Sequence, residues 1–351
     1  MKKTGTLLLA LLLLVTTCFA LVGCQNTPTV QVYNWEDYID PEVLKDFEEE
    51  TGITVKYSRF TTNEDMYALM EKGGVSYDVV FPSDYMIERM IQNDMLQAID
   101  TSKLENYGKI GDQFKDLDYD PNNEYSVPYM WGTVGILYNK TMVNGTPDSW
   151  DVLWDEQYKD QILMIDSIRD SLGITLKKLG YSLNTQNKDE IEAAKVALQE
   201  QWPLALAYVV DEGKDKMIRG EAAMAVVWSG DAVYAMSENE DLDYFVPKEG
   251  SNFWFDAMVI PKNAKNPEYA QKFIDFMCRP DIAARNTEYI GYSTPVPEAL
   301  DILEENEYPF MEAEAFNPSD DVINNCEIFH DLGDNLSYYE QIWTEIKNTP
   351  R

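Results

Sequence analysis

Short apolar segments alternate with amphipathic segments along most of the chain. Thr29–Asn34 and Ile53–Tyr57 have the composition of strands, and a helical stripe of apolar residues lies between them. Asp40, which precedes a proline, is a suitable N-cap for that helix, and Gly52 is a suitable residue to end it. The pattern predicts a strand, a helix and a second strand in close succession.

The same alternation continues toward the C-terminus. Further predicted strands are Tyr77–Phe81, Gln161–Ile165 and Ala222–Trp228. Predicted helices are Asn63–Met70, a helix opening at Trp150–Leu153, Ser167–Gly180, Lys188–Glu200, Gly230–Ser237, Asn266–Cys278, Asp281–Ile290 and the final segment Asp331–Lys347. Alternating strands and helices are typical of doubly wound α/β folds, and 351 residues suffice for two sizeable cores.

Candidate binding residues follow several predicted strands. In open α/β sheets, ligands bind beyond the carboxyl ends of strands. The segments at such ends are Tyr33–Tyr38, Phe81–Tyr85, Ile165–Asp170, Trp228–Asp231 and Trp254–Asp256. Each contains a carboxylate, and all but Ile165–Asp170 also contain an aromatic ring. A ring face beside a carboxylate suits an organic cation.

Each of these segments also has a purely structural interpretation. An extended backbone directs Trp254 and Asp256 to one face and their phenylalanine neighbours to the other, which also fits a buried strand with a surface aspartate. Ser167 and Asp170 match a capping box, although Asp166 and Asp170 can still face a pocket. The recurrence of rings with acids favours a binding cleft.

The chain is strongly acidic, with a formal net charge of −34. Such a surface disfavours nucleic acids and anionic membranes and attracts cations, although acidity can also serve only solubility. A single histidine, His330, and the absence of a CxxC motif argue against a zinc site or a histidine-based catalytic set, and no cofactor is expected. Cys278 and Cys326 could form a disulfide, but Cys278 lies in an apolar helical pattern.

The N-terminus has the organisation of a secretion signal. Lysines precede the apolar run 7–15, which is too short to be a good membrane span. Leu21–Cys24 resembles a bacterial lipobox. This resemblance implies removal of residues 1–23, acylation of the Cys24 thiol, a tether at residues 24–29, and a mature chain outside the cytoplasmic membrane.

Six motifs carry a further resemblance: Tyr33–Tyr38, Pro82–Tyr85, Tyr129–Gly132, Val227–Gly230, Phe253–Asp256 and Gly291–Pro295. In order and spacing they resemble the spermidine/putrescine-binding proteins of bacterial ABC transporters, in the periplasmic binding protein superfamily. The resemblance implies a type II fold, in which two lobes, each a doubly wound mixed sheet with flanking helices, enclose a ligand cleft. The implied lobes are residues 30–131 with 255–300, and residues 132–254 with 301–351.

The same resemblance implies a polyamine site. The implied aromatic walls are Trp35, Tyr38, Tyr85, Trp228, Trp254 and Tyr292. The implied polar partners of the ammonium groups are Glu36, Asp37, Ser83, Asp166, Asp170 and Asp256. Ser167 and Phe329 depart from the family pattern, which has an acid and a glutamine there, and the preferred ligand length stays open.

The resulting hypothesis is a monomeric extracytoplasmic lipoprotein, not an enzyme. It would capture putrescine or spermidine, pass it to ABC permease subunits, and touch the membrane only through its lipid anchor. One alternative is a cell-surface glycoside hydrolase, although no acid/base pair with a raised pKa can be identified. Another is a sugar- or iron-binding lipoprotein on the same fold, but acids with tryptophan walls suit organic cations better.

Overall fold

The computed structural model describes residues 27–350. The predicted signal segment, the predicted lipidation site Cys24 and the first part of the tether lie outside the described residues. Within that range, no helix is both long enough and apolar enough to cross a membrane.

The N-terminal part of the chain alternates between strands and helices, as its apolar pattern predicts. The strands are β1 (Thr29–Trp35), β2 (Thr54–Phe60), β3 (Val79–Val80), β4 (Leu96–Gln97) and β5 (Ser126–Asn139), and the helices are α1 (Pro41–Thr51), α2 (Asn63–Lys72) and α3 (Asp84–Gln92). Short 3-10 helices between β4 and β5 are Thr101–Lys103, Tyr107–Lys109, Asp112–Phe114 and Pro121–Asn123.

The remaining part continues the alternation and ends in helices. Its strands are β6 (Ile162–Ile165), β7 (Ala205–Val209), β8 (Met224–Trp228), β9 (Leu242–Phe245) and β10 (Phe253–Pro261). Its helices are α4 (Ile168–Lys178), α5 (Lys188–Gln201), α6 (Glu212–Ile218), α7 (Ser229–Glu238), α8 (Pro267–Met277), α9 (Pro280–Ile290), α10 (Pro297–Glu305), α11 (Asp320–Asn325) and α12 (Leu336–Lys347). Its 3-10 helices are Trp150–Trp154, Glu156–Tyr158 and Gly333–Asn335.

The strands form one mixed sheet with two parallel groups. The order is β2-β1-β3-β10-β5-β8-β6-β7, with β4 beside β10 and β9 beside β5. β1 is parallel to β2 and β3, and β6 is parallel to β7 and β8. The central strands β5 and β10 are antiparallel and connect the two groups. The carboxyl ends of both parallel groups therefore lie near the β5–β10 pair.

Strand β5 is shared between the two groups. Its first half pairs with β10, where Trp254 is opposite Gly132 and Asp256 is opposite Met130. Its second half pairs with β8 and β9, where Val134 is opposite Trp228. The register brings the ends of β8 and β10, with their tryptophans, to the middle of one strand.

Local signals explain where several elements begin and end. The Asp40 side chain accepts from the backbone N–H of Glu42 at the start of α1, and Gly52 ends that helix with a φ of 70°. The strand predicted at Tyr77–Phe81 is wrong in length, since only β3 forms there. Asp78 is fully buried and uses its carboxylate to accept backbone N–H groups of Gln31, Lys265 and Asn266, which fixes the chain before β3.

Two further predictions need correction. The helix predicted to open at Trp150 is a 3-10 helix, capped by Ser149. The α-helical part of the predicted segment Asp331–Lys347 begins only at Leu336. The two cysteines weighed as a disulfide are both free thiols, with Cys278 buried in the core.

Candidate functional site

A cavity of about 810 Å³ lies at the carboxyl ends of the parallel strands. It is lined by residues from both strand groups and from β10. The structure brings all twelve predicted ligand-binding residues to this one cavity: Trp35, Glu36, Asp37, Tyr38, Ser83, Tyr85, Asp166, Asp170, Trp228, Trp254, Asp256 and Tyr292. The segments identified at strand ends therefore converge, although their binding roles stay predictions.

These residues lie at different depths. The buried ones are Tyr38, Asp170, Trp254, Asp256 and Tyr292, and the half-buried ones are Trp35, Ser83, Tyr85, Asp166 and Trp228. Glu36 and Asp37 are exposed at the rim. The inner part of the cavity thus combines three rings with two carboxylates.

Strand β10 separates its side chains as the pleat predicts. Trp254 and Asp256 line the cavity, whereas Phe255 packs on the other side against Phe114, with ring centres 6.3 Å apart. The Phe253 ring contacts Phe255 at 4.7 Å. The alternation of wall and core residues in this strand is confirmed.

Asp256 presents one free oxygen to the cavity. Its Oδ2 accepts from the Tyr38 hydroxyl at 2.7 Å. Its Oδ1 is buried and has no hydrogen-bond partner among residues 27–350. Burial raises the pKa of Asp256 to about 6, against the lowering effect of the nearby Ser83 hydroxyl and of the Tyr38 hydrogen bond.

Asp170 is a second carboxylate of the same kind. It lies in the first turn of α4, where its backbone N–H donates to Ser167 Oγ at 3.3 Å and its Oδ2 accepts from the Ser167 hydroxyl at 2.6 Å. The predicted capping by Ser167 is therefore confirmed. Oδ1 of Asp170 is buried without a partner in the described part of the chain, and burial raises the pKa of Asp170 to about 6.

Aromatic rings form the walls around these acids. The Tyr292 ring lies edge-on to Trp254 at 4.9 Å and to Tyr38 at 5.7 Å. The Trp35 indole donates to the Phe81 carbonyl at 2.8 Å, which fixes the plane of its ring. The Trp254 Nε1–H is buried and has no acceptor within the described residues.

Two glycines allow the rings to come this close to the backbone. A Cβ at Gly230 would lie 2.4 Å from the Tyr292 ring. A Cβ at Gly132 would lie 2.7 Å from the Trp254 ring and 2.6 Å from Ser229 Oγ. Side chains at these positions would displace the walls of the cavity.

Arg169 closes one end of the cavity and was not predicted. It is 3% exposed, and its guanidinium lies 5.0 Å from the Tyr85 ring and 4.2 Å from the Phe329 ring. It donates to the His330 carbonyl at 3.0 Å and to Asn184 Oδ1 at 3.2 Å. Phe329 thus stacks on a cation of the protein itself, and its place in the family pattern gave no indication of this contact.

Three other acids of the cavity are paired with basic side chains. Asp166 lies 2.5 Å from Lys347 Nζ, and Glu36 lies 3.5 Å from Arg59 Nε. Asp231, which was not among the predicted ligand residues, lies 3.1 Å from Lys214 Nζ. These three acids form ion pairs, whereas Asp170 and Asp256 form none within the described residues. Within residues 27–350, no group of three or more His, Cys, Asp or Glu residues is arranged to hold a metal ion.

Comparisons with known proteins identify the family of the chain. The sequence profile described as "Bacterial extracellular solute-binding protein" matches residues 42–313. The spermidine/putrescine-binding periplasmic protein of Salmonella typhimurium is 38% identical over 325 residues, which cover 92% of this chain and 92% of the relative.

Two solved structures have the same fold. The spermidine/putrescine ABC transporter substrate-binding protein of Streptococcus pneumoniae superimposes with a TM-score of 0.80 at 42% identity, covering 91% of this chain and 98% of its own. A lipoprotein of Treponema pallidum superimposes with a TM-score of 0.81 at 26% identity, covering 91% of this chain and 99% of its own. The type II periplasmic binding protein fold predicted from the sequence is confirmed. The chain belongs to the bacterial extracellular solute-binding proteins, as an extracytoplasmic binding protein rather than an enzyme, and its resemblance to the spermidine/putrescine-binding members is confirmed.

Proposed function

We propose that the protein captures polyamines, putrescine and/or spermidine, in this cleft and delivers them to an ABC permease. The observation that carries the proposal is the pair of buried carboxylate oxygens, Asp170 Oδ1 and Asp256 Oδ1, that lack a partner among the described residues inside an aromatic cavity. The names of the relatives, which include spermidine and putrescine, support the same ligand class.

The two carboxylates explain why a cation would stabilise the occupied state. A buried acceptor without a partner costs about 1–3 kcal/mol, and more when it is charged. A protonated amine supplies N–H donors and positive charge at the same point. Each bound ammonium would therefore remove an existing penalty as well as forming a new contact.

The rings provide the other half of the interaction. Tyr38 donates to Asp256, and its ring contacts Tyr292, which in turn contacts Trp254. A ring–ammonium contact contributes about 0.5–2 kcal/mol, depending on how far water is excluded. Flat apolar walls also suit the methylene groups between the nitrogens of a polyamine.

We also propose the lobe division stated above, residues 30–131 with 255–300 and residues 132–254 with 301–351. The β5–β10 pair is the connection that supports it, because each parallel strand group attaches to only one of these two strands. Closure of the lobes would bring the walls contributed by β8 and α4 against those from β1 and α3. Only contacts that the open form lacks would stabilise the closed form.

Titration calorimetry with matched ligands tests the proposed ligand class. Putrescine and spermidine should bind with dissociation constants far below 1 mM. 1,4-Butanediol, which has the length of putrescine without its charges, should not bind, and butylamine should bind much more weakly than putrescine. Failure of both polyamines to bind below about 1 mM, a free energy of roughly −4 kcal/mol, would reject the function.

The lipid anchor on Cys24 and the monomeric state belong to the proposal as well. The motif Leu21–Cys24 is what supports the anchor. The chain expressed in a bacterium that processes lipoproteins should partition into the membrane fraction, and Cys24→Ala should release it. Mass spectrometry of the mature N-terminus would detect the acyl chains, and an unmodified Cys24 would contradict the anchor. Light scattering tests the monomer.

A further inference from the structure

The Lys214 ammonium group forms part of the wall of the cleft. Lys214, on α6, places Nζ 3.1 Å from Oδ1 of Asp231 in the first turn of α7. The side chains are 17% and 15% exposed, respectively, so the pair is largely removed from water. Both residues line the cavity. This pair therefore differs from the more exposed pairs at the rim, such as Glu36 with Arg59.

The surroundings of the Lys214 ammonium resemble those proposed for a ligand ammonium. Its Nζ lies 5.8 Å from the centre of the Tyr234 ring. Asp231 comes shortly after Trp228, at the end of a parallel strand. A carboxylate, an aromatic ring and an ammonium are thus already combined at this point.

Tyr292 connects this pair to the unpaired acid Asp256. Its ring lies directly against Gly230, the residue before Asp231. Burial, followed by the charges of Asp231 and Asp256, raises the pKa of the Tyr292 hydroxyl well above its usual value. Asp231 and Asp256 therefore both act on the same phenol, which lines the cleft together with them.

The carboxylates that line the cleft differ in whether the protein already pairs them with a cation. Asp170 and Asp256 each keep an oxygen without a partner in the described chain, whereas Asp231 is neutralised by Lys214. We propose that Lys214 occupies a third ammonium position, so that the cleft prefers diamines to triamines. This inference rests on the polyamine function proposed above.

The charges around the third position explain the preference. A third ammonium that approached Asp231 would meet the Lys214 ammonium, which is already paired with that carboxylate. The Lys214 ammonium is held by the protein and largely removed from water. Two ammonium groups at one carboxylate repel each other and compete for it. A diamine avoids this repulsion because it uses only the two free carboxylates.

Replacement of Lys214 gives a direct test by calorimetry with putrescine and spermidine. Lys214→Met keeps most of the aliphatic stem and removes the charge, so it should free Asp231 for a ligand. We expect the native protein to bind putrescine more tightly than spermidine. In Lys214→Met the ratio of the two dissociation constants should shift toward spermidine by about tenfold. The double variant Lys214→Met/Asp231→Asn should lose that shift.

Lys216→Met is the matched control. Lys216 lies on the same helix and pairs with Glu221 at the same distance, 3.1 Å, but it does not line the cleft. Its replacement should leave the ratio unchanged. Circular dichroism and thermal melting establish that each variant is folded. If Lys214→Met does not fold, Lys214→Gln replaces it in the same measurement.

The outcomes separate this inference from the function on which it rests. If the native protein binds neither polyamine, the proposed function is wrong. If it binds both but prefers spermidine, or if the ratio is unchanged in a folded Lys214 variant, only the role of Lys214 is wrong. A shift in Lys214→Met that persists in the double variant would also overturn that role, because it would not depend on Asp231.

Discussion

Asp84 and Asp256 are neighbouring buried carboxylates that the fold uses in opposite ways. Ser83, the residue before Asp84, forms a backbone bridge with Asp256. Asp84 is fully buried, and its two oxygens accept the backbone N–H groups of Tyr85 at 2.7 Å and Phe255 at 3.1 Å. In Asp256 one oxygen accepts from Tyr38, and the other has no donor within the described chain.

This difference shows which property distinguishes a ligand-binding carboxylate from a structural one. Burial raises the pKa of both carboxyl groups, so burial and the pKa do not separate them. The separation comes from the hydrogen-bond partners. Asp84 is satisfied by the backbone and connects the start of α3 to β10, whereas Asp256 retains an acceptor that the fold does not use. The first is therefore expected to govern stability, and the second affinity.

The largest effect is expected from Asp84→Ala. It leaves the Phe255 N–H without its acceptor inside the protein, so the free energy of unfolding should fall by about 3 kcal/mol. Urea unfolding at pH 7 measures this. Asp148→Ala, which removes an exposed partner of Lys248, should cost less than about 1 kcal/mol. Similar unfolding curves for the two variants would contradict the structural role of Asp84.

The next largest effect is expected from pH. Asp170 and Asp256 have pKa values of about 6, so both become protonated between pH 7 and pH 5, while the amine stays charged. Each should weaken putrescine binding by about tenfold over that range, or about 100-fold together. Calorimetry at the two pH values measures this, and an affinity independent of pH would contradict the assignment.

The free energy of unfolding of the ligand-free protein should change with pH in the opposite direction to the putrescine affinity. The folded pKa values of Asp170 and Asp256 lie above the ordinary value of 3.8. The folded state therefore binds more protons than the unfolded state between about pH 4 and pH 6, and these two groups favour folding less as the pH rises through that window. In Asp256→Asn one of the two contributions should disappear.

A smaller effect is expected from Asp256→Asn at pH 7. Polyamine affinity should fall by about 2 kcal/mol, roughly 30-fold, because an amide cannot compensate the ammonium charge. The free energy of unfolding should change by less than about 1 kcal/mol, since no buried backbone group loses its partner. Loss of stability comparable to that of Asp84→Ala would remove the distinction between the two carboxylates.

The smallest effect concerns the ring beside Asp256. Gly230→Ala should displace Tyr292 and weaken polyamine binding by about tenfold, because the added methyl would overlap the ring. Gly213→Ala is the control, since a Cβ there meets its nearest atom, in Val209, at an ordinary 3.5 Å. Calorimetry on both variants measures the difference, and equal affinities would show that the ring position is unimportant.

Much of the fold could be predicted because local signals agreed with the tertiary structure. α1 has its cap residue, its apolar stripe and its terminal glycine, and it forms where predicted. β7 and β9 were not predicted, because Ala205–Val209 is largely half-buried and Leu242–Phe245 is only four residues long. Helix α10 was also missed, although Pro297 stands at its first position.

The residues that line the site could largely be predicted, but their ion-pair and stacking partners could not. Recurring rings and acids at strand ends indicated a cleft, and the family resemblance implied the twelve residues that line it. The partner of Asp166 is Lys347, near the other end of the chain, and Arg169 stacks on Phe329 from a distant segment. Such contacts depend on tertiary proximity, which periodicity does not encode. The sequence therefore indicated several of the carboxylates that face the cleft, but not which of them remain free.

The indole N–H of Trp254 sets a last condition on the occupied cleft. It is buried and has no acceptor in the part of the chain that the structure describes. A protonated amine has hydrogens to give but no lone pair to offer, so it cannot satisfy this group. A water molecule enclosed with the ligand would accept a hydrogen bond from the indole and donate one to a carboxylate. The tightly bound state is therefore expected to be hydrated at this point, and a ligand oxygen reaching the indole would take the place of that water.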